Sequence, residues 1–332
     1  MRHNQSEKQE IIRVVEGSTL GIKRTLRELE IKRSTFYGWY RRYREGGPEG
    51  LAAKPSQQRR FWNAIPPWVK KRVVETALEH LDKSPRELAW YLTDTQGYYI
   101  SESSVYRILK INDLITSPAY TVLSARDKFA EPTAAVNQLW QTDFTYLKVV
   151  GWGWYYLSTV LDDYSRYILS WRLCSSMSAE EVKATVEAAI EFSGVQHVNL
   201  RHRPRLLSDN GPCYISGELR EYLAAQGFLH IRGKPYHPMT QGKIERYHRS
   251  LKNILLLDNY YSPEDLKVEI GRFVDHYNHR RYHESLANVT PADVYHGRAM
   301  GILAQRDKTK RETINLRRNQ YRKMIAMRES VS

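Results

Sequence analysis

Three acidic residues have the types and spacing to do chemistry together. Asp143 lies within the aromatic, β-branched run WQTDFTYL, and Asp209 sits in LLSDNG, just before an Asn-Gly turn. Glu245 lies inside PYHPMTQGKIERYHRSLK, among Lys243, Arg246, Arg249 and Lys252. Thirty-five residues separate the last two acids. An acid inside a half-buried strand is costly unless something pairs with it. Carboxylates from strand ends and a flanking helix can converge on one point, where they repel one another and require cations. Hard oxygen ligands with room for water and phosphate suit Mg²⁺ or Mn²⁺. Two such ions about 4 Å apart can activate a nucleophile and stabilise the leaving oxygen of a phosphodiester. Each acid also has a plainer reading. An Asp before Asn-Gly is a common turn residue, and Glu245 could be a surface salt-bridge partner. Asp162 and Asp163 are read in that plain way, as part of the DDYSR turn and outside the site.

The elements that must position the acids follow from the surrounding pattern. QLWQTDFTYLKVV, WYYLSTVLDD and YILSWRLC read as three strands joined by the GWG and DYSR turns, an antiparallel meander. SAEEVKATVEAAIEFSG reads as a helix with a capping box at Ser178 and Glu181. RPRLLSDNG is a short strand and turn, SGELREYLAAQG a helix ended by Gly227, and LHIRG a fifth strand. The loop and helix carrying Glu245 come next. The order β-β-β-α-β-α-β-α predicts an α/β domain, a mixed five-stranded sheet with helices packed on its faces. In FVDHYNHRRYHESL, Phe273, Val274 and Tyr277 have helical spacing and are expected on the sheet. Asn278, Arg280, Arg281 and His283 are open to binding phosphates or capping the last helix.

Two basic helical segments precede this domain. Residues 1–60 hold 14 Lys and Arg against seven Asp and Glu. EKQEIIRVVEG, LGIKRTLREL and RSTFYGWYRRYRE fit three short helices, the last with Ser34 as its N-cap, in a helix-turn-helix outline. Ser34, Thr35, Tyr37 and Arg41 would then face a major groove. An ordinary three-helix bundle is the plain alternative. PPWVKKRVVETALEHL, SPRELAWYLTDTQG and SESSVYRILK repeat the layout, with Ser103, Ser104 and Arg107 at the start and exposed side of the third helix.

The bulk composition bounds the partners. The 332 residues carry 51 Lys and Arg against 37 Asp and Glu, a formal net charge of +14, which favours a polyanion such as nucleic acid. Cys174 and Cys213 are the only cysteines and have no CxxC partner, which argues against a zinc site or a disulfide framework. No apolar run approaches the ~20 residues of a membrane span, and no signal peptide is visible. A cytoplasmic, nucleoid-associated protein without membrane partners is expected.

WQTDFTYL, LLSDNG and PYHPMTQGKIERYHRSLK resemble the three signature blocks of the DDE transposase and retroviral integrase superfamily, D,D(35)E class. The similarity is to bacterial insertion-sequence transposases, and FVDHYNHRRYHESLANVTPADVY resembles the end of their integrase core. The resemblance implies an RNase H-like fold over 135–297 and a metal-binding catalytic triad of Asp143, Asp209 and Glu245, using Mg²⁺ or Mn²⁺. It implies that water first frees a 3′-OH, which then attacks a second phosphodiester. In the resembling integrases the positions matching Tyr236, Gln241, Arg249 and Lys252 contact the DNA end, and Lys243 is grouped with them. A solvated basic face is the plain alternative for Arg249 and Lys252. The retroviral branch carries an N-terminal zinc domain whose cysteines this chain lacks, so end recognition falls to the helix-turn-helix modules at 1–60 and 61–115. A linker over 116–134 and a basic tail over 298–332 complete the division. The tail is open to two readings, a disordered DNA-binding arm or a helix used in assembly.

The resulting expectation is a transposase that binds double-stranded terminal inverted repeats and target DNA, acting as a dimer or larger homo-oligomer. A catalytically inactive DNA-binding regulator derived from a transposase is the alternative. A nuclease that cuts ends without joining them is a third reading.

Overall fold

The computed structural model of the chain describes residues 3–52, 61–115, 133–199, 202–233 and 241–329. It divides into two compact units, Met1–Phe61 and Trp62–Ser332.

The first unit is α-helical: α1 (Gln5–Gly17), α2 (Ile22–Glu28) and α3 (Arg33–Gly46). Asn4 and Glu7 close a capping box at the start of α1. Ile12, Val15, Leu26, Phe36, Trp39 and Leu51 form the core. Of the apolar residues in LGIKRTLREL, Leu26 is buried, while Leu20, Ile22 and Leu29 are exposed. Leu51 reaches the core through a 3-10 turn over Gly47–Leu51. That turn passes so close to α3 that a Cβ on Gly50 would collide with the Arg42 carbonyl. α3 begins two residues earlier than an N-cap at Ser34 implies. Lys32 is the N-cap and makes no side-chain cap bond, so Ser34 is not the cap.

The second unit opens with α4 (Pro67–Glu79), α5 (Pro85–Gln96) and α6 (Glu102–Ile111), packed around Val73, Leu88, Leu92 and Val105. The expected Ser84–Glu87 capping box starts α5. Next come β1 (Leu139–Val149), β2 (Gly153–Asp162), β3 (Ile168–Cys174), α7 (Ala179–Ser193), β4 (Arg205–Ser208), α8 (Pro212–Ile215), α9 (Gly217–Ala225) and β5 (Leu229–Arg232). The chain closes with α10 (Gly242–Leu255), α11 (Pro263–His279), α12 (Pro291–Tyr295) and α13 (Ala299–Glu329).

The five strands form one mixed sheet in the order β3-β2-β1-β4-β5. The meander is antiparallel, while β1–β4 and β4–β5 are parallel. This is the expected RNase H-like sheet. Because successive side chains alternate across a strand, β1 feeds both faces. Trp140 packs with Val160, Leu206 and the α7 and α9 residues Val182, Val186, Leu219 and Leu223. Leu147 packs on the other side with Ile244, Tyr247 and Leu251 of α10 and Ile270, Phe273 and Tyr277 of α11.

Two groups left open by the sequence are structural. Asn278 is buried, and its side chain takes the Ile168 N–H and gives a hydrogen bond to the Ile168 carbonyl, at 2.9 and 3.0 Å. Burial, then the charge of Arg281, pushes the His283 imidazole down to about 3, so it stays neutral and offers no charge to a phosphate. The basic tail is helical rather than a disordered arm, and it turns some of its cations inward. Arg306 of α13 holds both Asp94 oxygens (2.7 and 2.6 Å), donates to the carbonyls of Ala287 and Asn288, and lies over the Trp90 ring. Arg317 reaches the Tyr98 hydroxyl and the Tyr99 carbonyl, both at 2.8 Å. Among the described residues no helix is long and apolar enough to cross a membrane.

Candidate active site

Strand register brings the first two acids together. β1 and β4 pair as Leu139 with Arg205, Trp140 with Leu206 and Gln141 with Leu207. Two residues further, the same offset sets Asp143 beside Asp209, at the point where β4 ends and the chain turns away. The Asp143 carboxylate accepts the Phe144 N–H at 2.9 Å, and its other oxygen lies 3.5 Å from Nδ1 of His248. Asp209 accepts the Gly211 N–H at 2.8 Å. The turn is tight: a Cβ on Gly211 would come within 3.0 Å of that carboxylate. Burial, together with the neighbouring charge of Asp143, raises the Asp209 carboxyl above its ordinary range, while the Gly211 N–H pulls it the other way. A carboxyl whose proton affinity is raised beside a second carboxylate marks a site short of positive charge.

Helix α10 carries the third acid, and a buried polar latch fixes its first turn. Lys243 Nζ lies 2.6 Å from Asp163 Oδ2 and also donates to the Asp163 carbonyl at 2.9 Å. Gln141 of β1 donates to the other Asp163 oxygen at 2.8 Å and accepts the Ile244 N–H at 3.1 Å. Thr133 adds a hydroxyl at 2.6 Å. Lys243, Asp163 and Gln141 are all buried. Burial pushes the Lys243 ammonium below its ordinary range, and Asp163 opposes that shift. The latch ties α10 to β1, two residues before Asp143, and to the end of β2.

The expected DNA-contacting residues divide into open and enclosed groups. Lys243 is not free for DNA, because its ammonium is committed to Asp163. Gln241 is buried as well, and its amide donates to the Thr142 carbonyl at 3.3 Å, next to Asp143. Arg249 is exposed. Lys252 is half-buried, with Nζ 3.8 Å from the centre of the Tyr146 ring. Burial lowers its pKa, and the charge of Asp143 partly restores it. Tyr236 lies outside the described residues. Ser34, Thr35, Tyr37 and Arg41 are all exposed on α3, and Ser103 and Arg107 are exposed on α6, with Ser104 half-buried. Arg107 folds back onto the Ser103 carbonyl at 3.0 Å.

Glu245 stands on the exposed side of α10, and among the described residues its carboxylate has no ion-pair or hydrogen-bond partner. It therefore is not a salt-bridge partner of the cations around it. Among the described residues no three His, Cys, Asp or Glu side chains gather closely enough to hold a metal ion. The structure thus brings Asp143 and Asp209 together and leaves Glu245 outside their immediate cluster. Asp143 and Asp209, two adjacent and mutually repelling carboxylates, are the hard oxygen donors a divalent cation takes, and Glu245, outside their cluster, has no neutralising partner among the described residues.

Sequence reasoning missed Asp163 and Gln141. Asp162 is the turn residue it was taken for, bonding the Ser165 N–H and hydroxyl at 2.8 and 2.6 Å. Asp163 points instead into the latch. The signal for Lys243 was legible, since it lies four and eight residues before Tyr247 and Leu251, on the buried stripe of α10.

Comparisons with known proteins bear on the family of the chain. Two family models described as "Integrase core domain" match residues 133–238 and 226–291. A "Helix-turn-helix domain" model matches 7–60, and a "Homeodomain-like domain" model matches 35–109. A protein of insertion sequence element IS986/IS6110 from Mycobacterium tuberculosis, assigned as its transposase, is 30% identical over 174 residues, covering 50% of this chain and 60% of that one. The transposase for insertion sequence element IS629 from Shigella sonnei is 24% identical over 242 residues, covering 68% and 78%. Among solved structures, the HTLV-2 integrase catalytic core domain in complex with magnesium aligns at 23% identity and a TM-score of 0.40, covering 49% of this chain and 98% of that one. This chain spans 60% of the length of the mycobacterial relative. An integrase core domain behind helix-turn-helix domains is what this chain shares with insertion-sequence transposases.

Proposed function

We propose that this protein is a transposase that binds the terminal inverted repeats of an insertion sequence, cuts at their ends and joins the freed 3′-OH to target DNA. The observation that carries this reading is the pair Asp143 and Asp209 at the end of a truncated ladder, with an unneutralised Glu245 on the adjoining helix. Asp143, Asp209 and Glu245 would hold one or two divalent cations, Mg²⁺ or Mn²⁺, which supply Lewis-acid polarisation of a phosphodiester and charge for its leaving oxygen.

The remaining work falls to the chain's own groups. Asp143 and Asp209 are held in place by the sheet register and by the Phe144 and Gly211 N–H groups. The latch at Asp163 keeps the Glu245 turn beside β1. Arg249 and Lys252 would hold the backbone phosphates of the DNA end. The exposed α3 residues Ser34, Thr35, Tyr37 and Arg41, together with Ser103, Ser104 and Arg107 of the second module, would read the terminal repeat. Breaking two ends in concert requires two such sites, and therefore at least a dimer on DNA.

The test is strand transfer on a labelled terminal-repeat duplex with Mg²⁺. Wild type should nick and join, while Glu245→Gln should bind the duplex normally and do neither. Activity surviving in that variant would remove Glu245 from the triad. The separation of Glu245 from the other two acids favours one alternative, a DNA-binding regulator without chemistry. Specific end binding with no metal-dependent product from the wild type would support it.

A further inference from the structure

Past Gln141, β1 has no β4 neighbour, and its outer half runs on with β2 as a hairpin whose one face is open and aromatic. The register pairs Tyr146 with Tyr156 and Lys148 with Trp154, so these four side chains share a face. Tyr146 is 59% and Trp154 54% exposed, and Trp152 in the turn is 62% exposed. Large aromatics left in water at this density mark an interaction surface. The Tyr146 and Trp154 rings meet edge to face with centroids 5.4 Å apart. Lys148 is exposed beside them and forms no ion pair among the described residues. Lys252 places its ammonium 3.8 Å over Tyr146.

We propose that this hairpin face, built from Tyr146, Lys148, Trp154 and Trp152 with Lys252 at its border, binds unpaired nucleotides of the DNA strand at the active site. The proposal deepens the transposase reading and rests on it. Three observations favour this occupant. First, the face borders the candidate site: Tyr146 and Asp143 point to opposite sides of β1, but Lys252 of α10, the helix that meets Asp143 through His248, reaches round to the Tyr146 ring. Second, rings interleaved with cations match a nucleic-acid strand, with bases stacking on aromatics and phosphates meeting ammonium groups. A paired duplex interior offers no open base face, so the fitting ligand is frayed or single-stranded. Third, the charge opposes the obvious rival, a second copy of this chain. A two-fold self-contact would bring two copies of the same cationic patch, Lys148 and Lys252, face to face.

The test is equilibrium binding of the full-length protein in EDTA to two labelled duplexes of one terminal-repeat sequence. One is fully paired, and the other ends in three unpaired thymidines. Wild type should bind the frayed duplex about tenfold more tightly, the size expected of stacked bases. Trp154→Ala should bring the two affinities together and leave binding of the paired duplex unchanged, whereas Trp154→Phe should retain most of the difference. Trp152→Ala should reduce the difference independently, which guards against a local fault at Trp154. Equal affinities in wild type would overturn the proposal. So would a preference that survives Trp154→Ala, including the case where that variant instead dissociates a dimer in sedimentation. Because EDTA removes all chemistry, a protein that prefers frayed ends but never joins strands would count against the transposase reading alone. A protein that joins pre-cut ends without any such preference would count against the hairpin surface alone.

Discussion

Asp143 and Asp209 share the register of the β1–β4 ladder but lie beyond its last paired residues, Gln141 and Leu207. Their proximity has an electrostatic consequence, since burial and the charge of Asp143 raise the Asp209 carboxyl. A carboxyl whose folded pKa lies above its unfolded value binds protons more tightly in the folded state. Its ionised form therefore costs stability, a cost absent below the unfolded pKa and complete once pH has risen through the folded pKa.

Asp209→Asn should accordingly stabilise the metal-free protein at pH 7. Asp209 is well exposed, so screening limits the gain to about half a kcal/mol, or roughly 1 °C in Tm for a unit of this size. The gain should shrink as pH falls through the carboxylate range. Thermal melts in EDTA from pH 7 down to pH 4 would check this. A variant no more stable than wild type at pH 7 would contradict the like-charge account.

The latch predicts a different pattern. Lys243→Met leaves Asp163 as a buried carboxylate without its counter-ion, and Asp163→Asn strands the Lys243 ammonium. Removing one partner of a buried pair costs about 3–5 kcal/mol. Each single variant should show that loss in denaturant melts. The double variant Lys243→Met/Asp163→Asn should recover much of it, because no unpaired charge remains. Strictly additive losses would mean that the two side chains do not act as a pair.

DNA affinity should separate the cations of α10 by their exposure. Arg249 is free to meet a phosphate, whereas Lys243 is enclosed. Arg249→Ala should lower the slope of log K against log salt by about one unit on any DNA sequence. A folded Lys243→Met/Asp163→Asn variant should leave that slope unchanged. Measuring duplex affinity between 50 and 200 mM salt distinguishes them, and a reduced slope in the double variant would return Lys243 to the DNA-binding set.

What the sequence made legible, and what it did not, follows from the range of each interaction. The strands announced themselves because β1 to β3 are aromatic and β-branched, and Asp143 stood out as an acid inside such a run. The helices were legible from local signals such as the Ser84–Glu87 capping box, which is complete within four residues. Asp163 was not legible, because its ion-pair partner lies 80 residues away and nothing local distinguishes it from Asp162. The enclosure of Lys243 was not legible because a basic helix beside a carboxylate cluster suggests DNA on every face. The buried stripe through Tyr247 and Leu251 shows that one face is closed. The basic tail was ambiguous because its net charge does not reveal that Arg306 and Arg317 are used inside the protein.

Arg306 carries the last prediction. Its guanidinium serves both Asp94 oxygens and two loop carbonyls while lying over Trp90, and its side chain is buried. A planar fork can do this, but an ammonium, a compact point charge, cannot hold four acceptors in that arrangement. Arg306→Ala should therefore cost about 3–5 kcal/mol, as for any buried pair that loses one member. Arg306→Lys should recover only a minor part, although it restores the charge. The first visible effect should be faster proteolysis within α13, because Arg306 ties that helix to α5 and to the loop before α12. Denaturant melts and a protease time course on the three proteins would decide the matter. If Arg306→Lys proved as stable and as protected as wild type, charge alone would account for the contact, and the forked geometry would have no energetic role.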